Sequence, residues 1–509
     1  MIPFVSIFRS KHLWCVVLTG ACLALVGTSF GNNLKISGTE VVDSVSIKFT
    51  ISWENSWNKT AVEAPWNHDA VWVFVKFSRD GEPFQHLNLS SLSQDHEVAG
   101  AGLLSLEAVP DGKGIFVQRM QSGAGPVPET EVTVRLQSAF WGADYRIKVF
   151  GVEMVHVPEG PFWLGDSASA STFRRGGTFS PYEVLSENTI SIGVEPTGLS
   201  SNGADPPADN IPAAYPKGYD GFYCMKYEIT QEQYADFLNC LTFEQQDGRT
   251  ASSPSDVAGN AAMAAALLNR NGLVIEVPGM SIQPATYAVN GNASNPFSQS
   301  DDGHTRTCNF LNWADVSAYF DWAALRPMTE FEFEKAARGP ELPVAGGFVW
   351  GTAAVTDANT VDLDGTEDES VTDTILPGTG LASHGYAGPA GPLRAGFGGK
   401  VDSDRRGIGG AYHGILELSG NVWELCVNVT SEGLLFDGQL GDGALSLTGE
   451  ANVVNWPAPS GSGAGYKGGA WNSGIGAIGS FRDLAVSDRW FIGLSPDIRR
   501  NTAGGRGVR

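Results

Sequence analysis

The stretch Leu416-Glu417-Leu418-Ser419-Gly420-Asn421-Val422-Trp423-Glu424-Leu425, answered further on by Lys467-Gly468-Gly469-Ala470-Trp471-Asn472-Ser473, constrains this chain more than any other feature. Ser419-Gly420-Asn421 is turn chemistry, because Gly takes φ > 0 freely and Asn tolerates it. The turn releases into an apolar, aromatic run that carries one carboxylate, Glu424. A carboxylate just past a turn, where main-chain carbonyls converge, can hold a hard cation such as Ca²⁺ through oxygen ligands. The same residues also describe a plain turn entering a core strand.

At 509 residues the chain exceeds one ordinary core, so two or three domains are expected. A formal charge of −23 repels phosphate backbones and anionic membrane surfaces, which argues against a nucleic-acid partner. Arg9, Lys11 and His12 precede the apolar run Leu13 to Val26, and Ser29-Phe30-Gly31 offers a cleavage site before Asn32. Residues 1–31 therefore read as a signal peptide, and the mature chain as secreted, periplasmic or at the cell surface, with no other stretch able to cross a bilayer. Two of the six cysteines fall in that leader, leaving Cys224, Cys240, Cys308 and Cys426. An even count in an exported protein suggests two disulfides among three connectivities; Cys240 with Cys308 and Cys224 with Cys426 is the preferred one.

The fold class expected is α+β. Residues 32–150 read as a β-sandwich: Val45 to Trp53 and Val71 to Phe77 alternate at period two, and Gly114 to Arg119 and Glu131 to Leu136 continue the series. The sequence from 151 to 509 has another texture, with loops rich in Gly, Pro, Ser and Asn, and an insertion at about 242–306. Thr230 with Gln233 forms a capping-box pattern for a helix, and Trp313 to Trp322 and Thr329 to Gly339 read as two more. The Ala-rich segment Ala258 to Leu268 suggests a helix inside the insertion. Glu330, Glu332 and Glu334 read as dipole and surface charges, and the acids between Asp357 and Asp373 as solvated charge or, more sharply, a Ca²⁺ site.

Seven segments in order, VPEGPFWLGD, FYCMKYEITQEQYADFLN, NFLNWADVSAYFDW, RPMTEFEFEKAARG, ELSGNVWEL, YKGGAWNS and GGRGVR, resemble the formylglycine-generating enzyme, or sulfatase-modifying factor, family. The resemblance spans about 152 to 509 and implies a loop-rich variant of the C-type lectin fold. Active members oxidise a substrate cysteine to formylglycine with Cu(I) held by two thiolates, the soft ligands that ion requires. The matching positions here are Ser473 and Ile478, and no cysteine follows Cys426, which argues against copper. A related branch uses three histidines and iron, but its H-x₃-H-x-E motif is missing from this N-terminal region. The resemblance implies calcium at two places. Asn359 and the Thr360 carbonyl match one site, whose Asp-Gly-aromatic half appears as His384-Gly385-Tyr386; Gly420, Val422 and Glu424 match the other.

Two functions follow from the resemblance. In the first, the chain is an exported, non-oxidising binding module, stabilised by calcium, with Trp471, Asn472, Ser473 and Arg482 at the old catalytic groove contacting an unknown protein or glycan. In the alternative, it remains an oxidoreductase of the formylglycine-generating and non-haem-iron group, with a different metal site.

Overall fold

A computed structural model describes residues 33–79, 81–100, 102–139, 145–203, 205–385, 388–399, 404–474 and 481–509. The leader and Ile478 lie outside the described residues. Strands dominate, and there are four α-helices among the described residues. None of these helices is long and apolar enough to cross a membrane.

Nine strands open the chain: β1 Lys35–Asp43, β2 Ser46–Asn58, β3 Asp69–Arg79, β4 Gln85–Leu87, β5 Glu97–Val98, β6 Leu104–Ala108, β7 Ile115–Arg119, β8 Gly123–Arg135 and β9 Tyr145–Val157. One antiparallel sheet has the order β1-β2-β8-β5. The other runs β6-β7-β3-β9, with β4 beside β3, and continues through Phe222–Met225, Gly507–Val508 and Arg326–Pro327. Ile47, Phe49, Ile51, Val132 and Val134 of the first sheet share a core with Val71, Val73, Val75, Ile115 and Val117 of the second.

Strand β3 explains how this N-terminal region joins the rest. Its odd residues Val71, Val73 and Val75 enter the core just described, while Ala70, Trp72 and Phe74 enter the larger core with Trp313, Phe320 and Trp322. A strand buried on both faces reads as a continuous apolar run. Its one interior cation, Lys76, is buried too, and donates to the carbonyls of Trp322 at 2.6 Å and Gly443 at 2.8 Å. Strand β9 pairs with β3 from Tyr145 to Val155, and its C-terminal end pairs with Phe222–Met225. Position 150 therefore falls inside a strand that both regions share.

The join is locked by charge. Lys226, just past the strand Phe222–Met225, donates to Asp69 of β3 at 3.2 Å and Glu153 of β9 at 2.9 Å. Asp69 is thus buried and networked, with Ser56 Oγ at 2.9 Å and the Trp57 amide at 2.8 Å.

Helix α1 (Gln231–Leu238) begins at the expected capping box: Thr230 Oγ1 accepts from the Gln233 amide, and the Gln233 side chain accepts from the Thr230 amide. Helices α2 (Phe243–Arg249), α3 (Trp313–Trp322) and α4 (Glu330–Arg338) start the same way at Thr242, Asn312 and Thr329. Ala258 to Leu268 is not helical. The Ala262 amide donates to Leu273 and its carbonyl accepts from Ala251, so neighbouring chain takes the bonds a helix would make. Alanine's high helix propensity is worth only tenths of a kcal/mol per residue and loses to those pairings.

Three further expectations are corrected. The α4 glutamates are not surface charges: Glu330 pairs with Arg489 at 2.6 Å, Glu332 with Arg326 at 2.6 Å, and Glu334 with Arg338, all buried. The acids after Asp357 are only partly solvated, since Arg270 and Arg306 converge on buried Glu369 at 2.7 and 2.9 Å and on Asp364. Neither disulfide forms. Cys224, Cys240, Cys308 and Cys426 are free and buried, each packed as a small apolar group within a core.

Candidate binding cleft

The two motifs that mark the sequence meet in space. The strand Trp423–Val427 pairs antiparallel with Ala464–Lys467 and parallel with Ala503–Gly504. In the turn before it, Gly420 has φ +99°, and a Cβ there would lie 2.5 Å from the Ser383 carbonyl. Asn421, also left-handed at φ 62°, is held on every side. Its amide donates to Glu228 Oε2 at 2.6 Å and Thr307 Oγ1 at 2.9 Å, its Oδ1 accepts from the Leu393 amide, and its carbonyl accepts from the Trp471 amide at 2.8 Å. The second motif is thereby hung on the first.

Trp471 is buried, with its indole N–H donating to the Asn501 carbonyl at 3.0 Å, so it supports the groove from below. The chain then turns through Ser473, whose Oγ accepts from the Ala470 amide at 3.0 Å. Asn472, Ser473 and Arg482 come together on a cleft of about 250 Å³, so three of the four expected contact residues share one site. Trp423, Tyr466, Phe491 and Arg500 also line it, as does the acid Asp483. Trp423 packs edge-on against Tyr466 and Phe491, with centroids 6.0 and 5.4 Å apart. Arg500 Nε donates to the Tyr466 hydroxyl at 3.2 Å, and the Arg482 guanidinium lies 4.3 Å from the Trp490 ring centroid and 3.4 Å from Asp483. Burial raises the Asp483 and Tyr466 pKa values above their ordinary ranges. Two half-buried guanidinium groups on an aromatic floor suit a planar or acidic ligand group.

Sequence reasoning missed Trp423, Tyr466 and Arg500. Both rings sit inside the two motifs, but an aromatic in a strand reads equally well as core.

Position 473 carries a hydroxyl where the resemblance puts a thiol, and that side chain also hydrogen-bonds Asp483. None of the four described cysteines lines the cleft. Burial pushes the Cys224 thiol up to about 12 and Cys240 to about 11. His384, held by Asp357 at 2.6 Å, reaches the main chain of Ser473.

The two implied calcium corners each keep a buried side-chain oxygen without a partner, Asn359 Oδ1 and Glu424 Oε2, which is what a cation site supplies. At the first, the amides of Asn359 and Thr360 both donate to Asp373 Oδ2 at 2.8 Å, and the Thr360 carbonyl accepts from the Thr372 amide at 2.9 Å. At the second, Glu424 Oε1 is taken by Arg506 Nε at 2.6 Å. No three His, Cys, Asp or Glu among the described residues could hold one metal ion, so main-chain carbonyls would have to make up the ligand set.

No curated protein matches this chain. Among solved structures, the group B streptococcus pilus 2b backbone protein aligns at 11% identity over 33% of this chain and 76% of its own, with a TM-score of 0.10. The sulfatase-modifying factor enzyme 1-like domain matches residues 151–506, taking in the turn, the hanging second motif and the cleft between them. The chain belongs to the sulfatase-modifying factor family.

Proposed function

We propose that this chain is an exported member of the family that binds rather than oxidises, and that its ligand is a peptide or glycan carrying an acidic group. One observation carries the proposal: the cleft has Ser473, hydrogen-bonded into its own turn, where the resemblance puts a copper thiolate, and two arginines beside it. In this reading the lectin-type variant domain presents the cleft, and the two N-terminal sheets form a sandwich that docks it to a partner. Calcium is structural, held by Asn359 and the Thr360 carbonyl at one corner and by the Gly420 and Val422 carbonyls with Glu424 at the other. It neutralises buried oxygens that otherwise lack a donor.

The test has two arms. The mature chain is loaded with Cu(I) and incubated with a cysteine peptide of the kind sulfatases present, and the peptide is weighed for formylglycine. Acidic peptides and glycans are then titrated against the wild type and Arg500→Gln. Saturable binding that the variant loses, with the peptide unchanged in mass, is the expected result. Formylglycine formed by a stoichiometrically copper-loaded chain overturns the proposal and restores the oxidoreductase alternative.

A further inference from the structure

A second and larger cleft, about 900 Å³, is walled by β1, β9, α1 and α3. One wall is aromatic: Trp322 stands edge-on to Phe74 and Phe150, with centroids 5.1 and 4.9 Å away. Carboxylates line the remainder, with Glu153 on β9, Glu232 and Asp236 one turn apart on α1, and Glu367 and Asp368 on a loop. Glu228 also reaches this cleft, but its oxygens are taken by Asn421, Thr307 and the Val422 amide. Against these acids the lining contributes one ammonium, Lys35, which spends its charge on Glu367 at 3.1 Å. His304 is also in the wall, with burial holding its imidazole below the ordinary range.

Acidity alone would mark no site, but Glu153 adds a separate observation. It is 4% exposed, its Oε2 takes Lys226, and its Oε1 has no donor. Thr305 Oγ1, in the same wall, also lacks a partner. A buried carboxylate oxygen left without a donor is destabilising, and a donor brought by a ligand would relieve it. The described carboxylates are too dispersed for any three to hold a single metal ion. A ligand that satisfies them has to be extended and carry more than one positive group.

We propose that this cleft binds an organic polycation, a chain of ammonium or guanidinium groups joined by aliphatic spacers, as in a linear polyamine or a lysine-rich peptide segment. The spacers lie along Phe150 and Trp322, one cation donates to Glu153 Oε1, and others reach Asp236 and Asp368. Aromatic faces add to the attraction for a desolvated cation. Screening of the outer carboxylates makes the binding sensitive to salt.

Calorimetric titration of the full mature chain with spermine and with tetralysine, at low and high ionic strength, tests this. The expected result is saturable one-to-one binding of at least one probe, about tenfold weaker in the double variant Asp236→Asn with Asp368→Asn, and weaker again at high salt. Both substituted side chains are part-buried and the exchange keeps their shape, so circular dichroism checks that the double variant, like Glu153→Gln at the deep end, keeps its fold. Tighter binding of spermine identifies a polyamine, and tighter binding of tetralysine a peptide segment. No saturable binding by either probe, or equal affinity in wild type and double variant, overturns the proposal.

Discussion

Replacing Lys226 by Met tests the joint between the N-terminal sheets and the family domain. The Lys226, Asp69 and Glu153 side chains are only 3%, 1% and 2% exposed, and the ammonium also donates to the Asn55 carbonyl at 3.2 Å. Asp69 keeps donors from Ser56, Trp57 and Trp53 after the change. Glu153 does not: its Oε1 has no donor already, and Oε2 loses Lys226. Stripping one partner from a buried pair costs roughly 3–5 kcal/mol. Glu153 has an escape, because it can take up a proton, and burial already raises its pKa above the ordinary 4.5. From 4.5, protonation at pH 7 costs at most about 3.4 kcal/mol, at 1.36 kcal/mol per pH unit. With about 1 kcal/mol more for the lost bonds to Asp69 and Asn55, the deficit at pH 7 is about 4 kcal/mol and shrinks to about 2 at pH 5. Urea unfolding at the two pH values measures it, and Lys226→Met combined with Glu153→Gln should recover most of the pH-dependent part. A deficit equal at pH 7 and pH 5, or one under 1 kcal/mol, refutes the buried-charge reasoning.

Burial also raises Asp321, from 3.8 to about 6. A carboxylate raised on folding contributes stability below its unfolded pKa and loses it as pH climbs through the folded value, so between pH 3.8 and 6 wild type falls relative to Asp321→Asn by up to about 3 kcal/mol, and parallel curves would count against this. Cys224, Cys240, Cys308 and Cys426 are free and buried, so alkylation without reductant should label none of them in the folded chain and all four after denaturation; two or fewer of them labelled would mean a disulfide after all. Gly468→Ala places a Cβ 2.7 Å from the Leu418 carbonyl at φ +85°. It should destabilise by about 2–4 kcal/mol, and thermal melting within a degree of wild type would contradict it.

What the sequence made legible was local. The capping box at Thr230 stands where four consecutive residues put it, and the strands around Val45 and Glu131 follow from period-two alternation, while Val71 to Val75 is the continuous apolar run of a strand buried on both faces. What it hid was partnership at a distance. Glu330 and its Arg489 are 159 residues apart, so a helix-terminal acid looks like surface charge until the C-terminal segment folds over it. The acids near Asp364 looked solvated because Arg270 and Arg306, in the segment that read as an insertion, are not their sequence neighbours. At the cleft, Asn472, Ser473 and Arg482 were legible only through the family resemblance, whereas Tyr466 became visible only once its strand lay beside Trp423.

The recurrent family segments turn out to hold one another. Glu228 accepts from Asn421 and Val422, Arg506 pairs with Glu424, and the Trp471 amide bonds the Asn421 carbonyl. Each is a contact between segments, and none involves a thiol. The scaffold therefore does not depend on the copper ligands, and a chain can lose both while keeping the rest. Ser473→Cys combined with Ile478→Cys makes this testable. Ser473 Oγ accepts from the Ala470 amide and also hydrogen-bonds the Asp483 side chain, so its exchange for sulfur should cost about 1–2 kcal/mol. Two thiolates at the family spacing should then bind Cu(I), a soft ion, in competition with a chromogenic chelator, while the parent chain does not. A double variant that folds but takes up no Cu(I) would mean that the groove itself has been rebuilt. In that case the proposed binding role would rest on the arginines beside it rather than on the absent thiols.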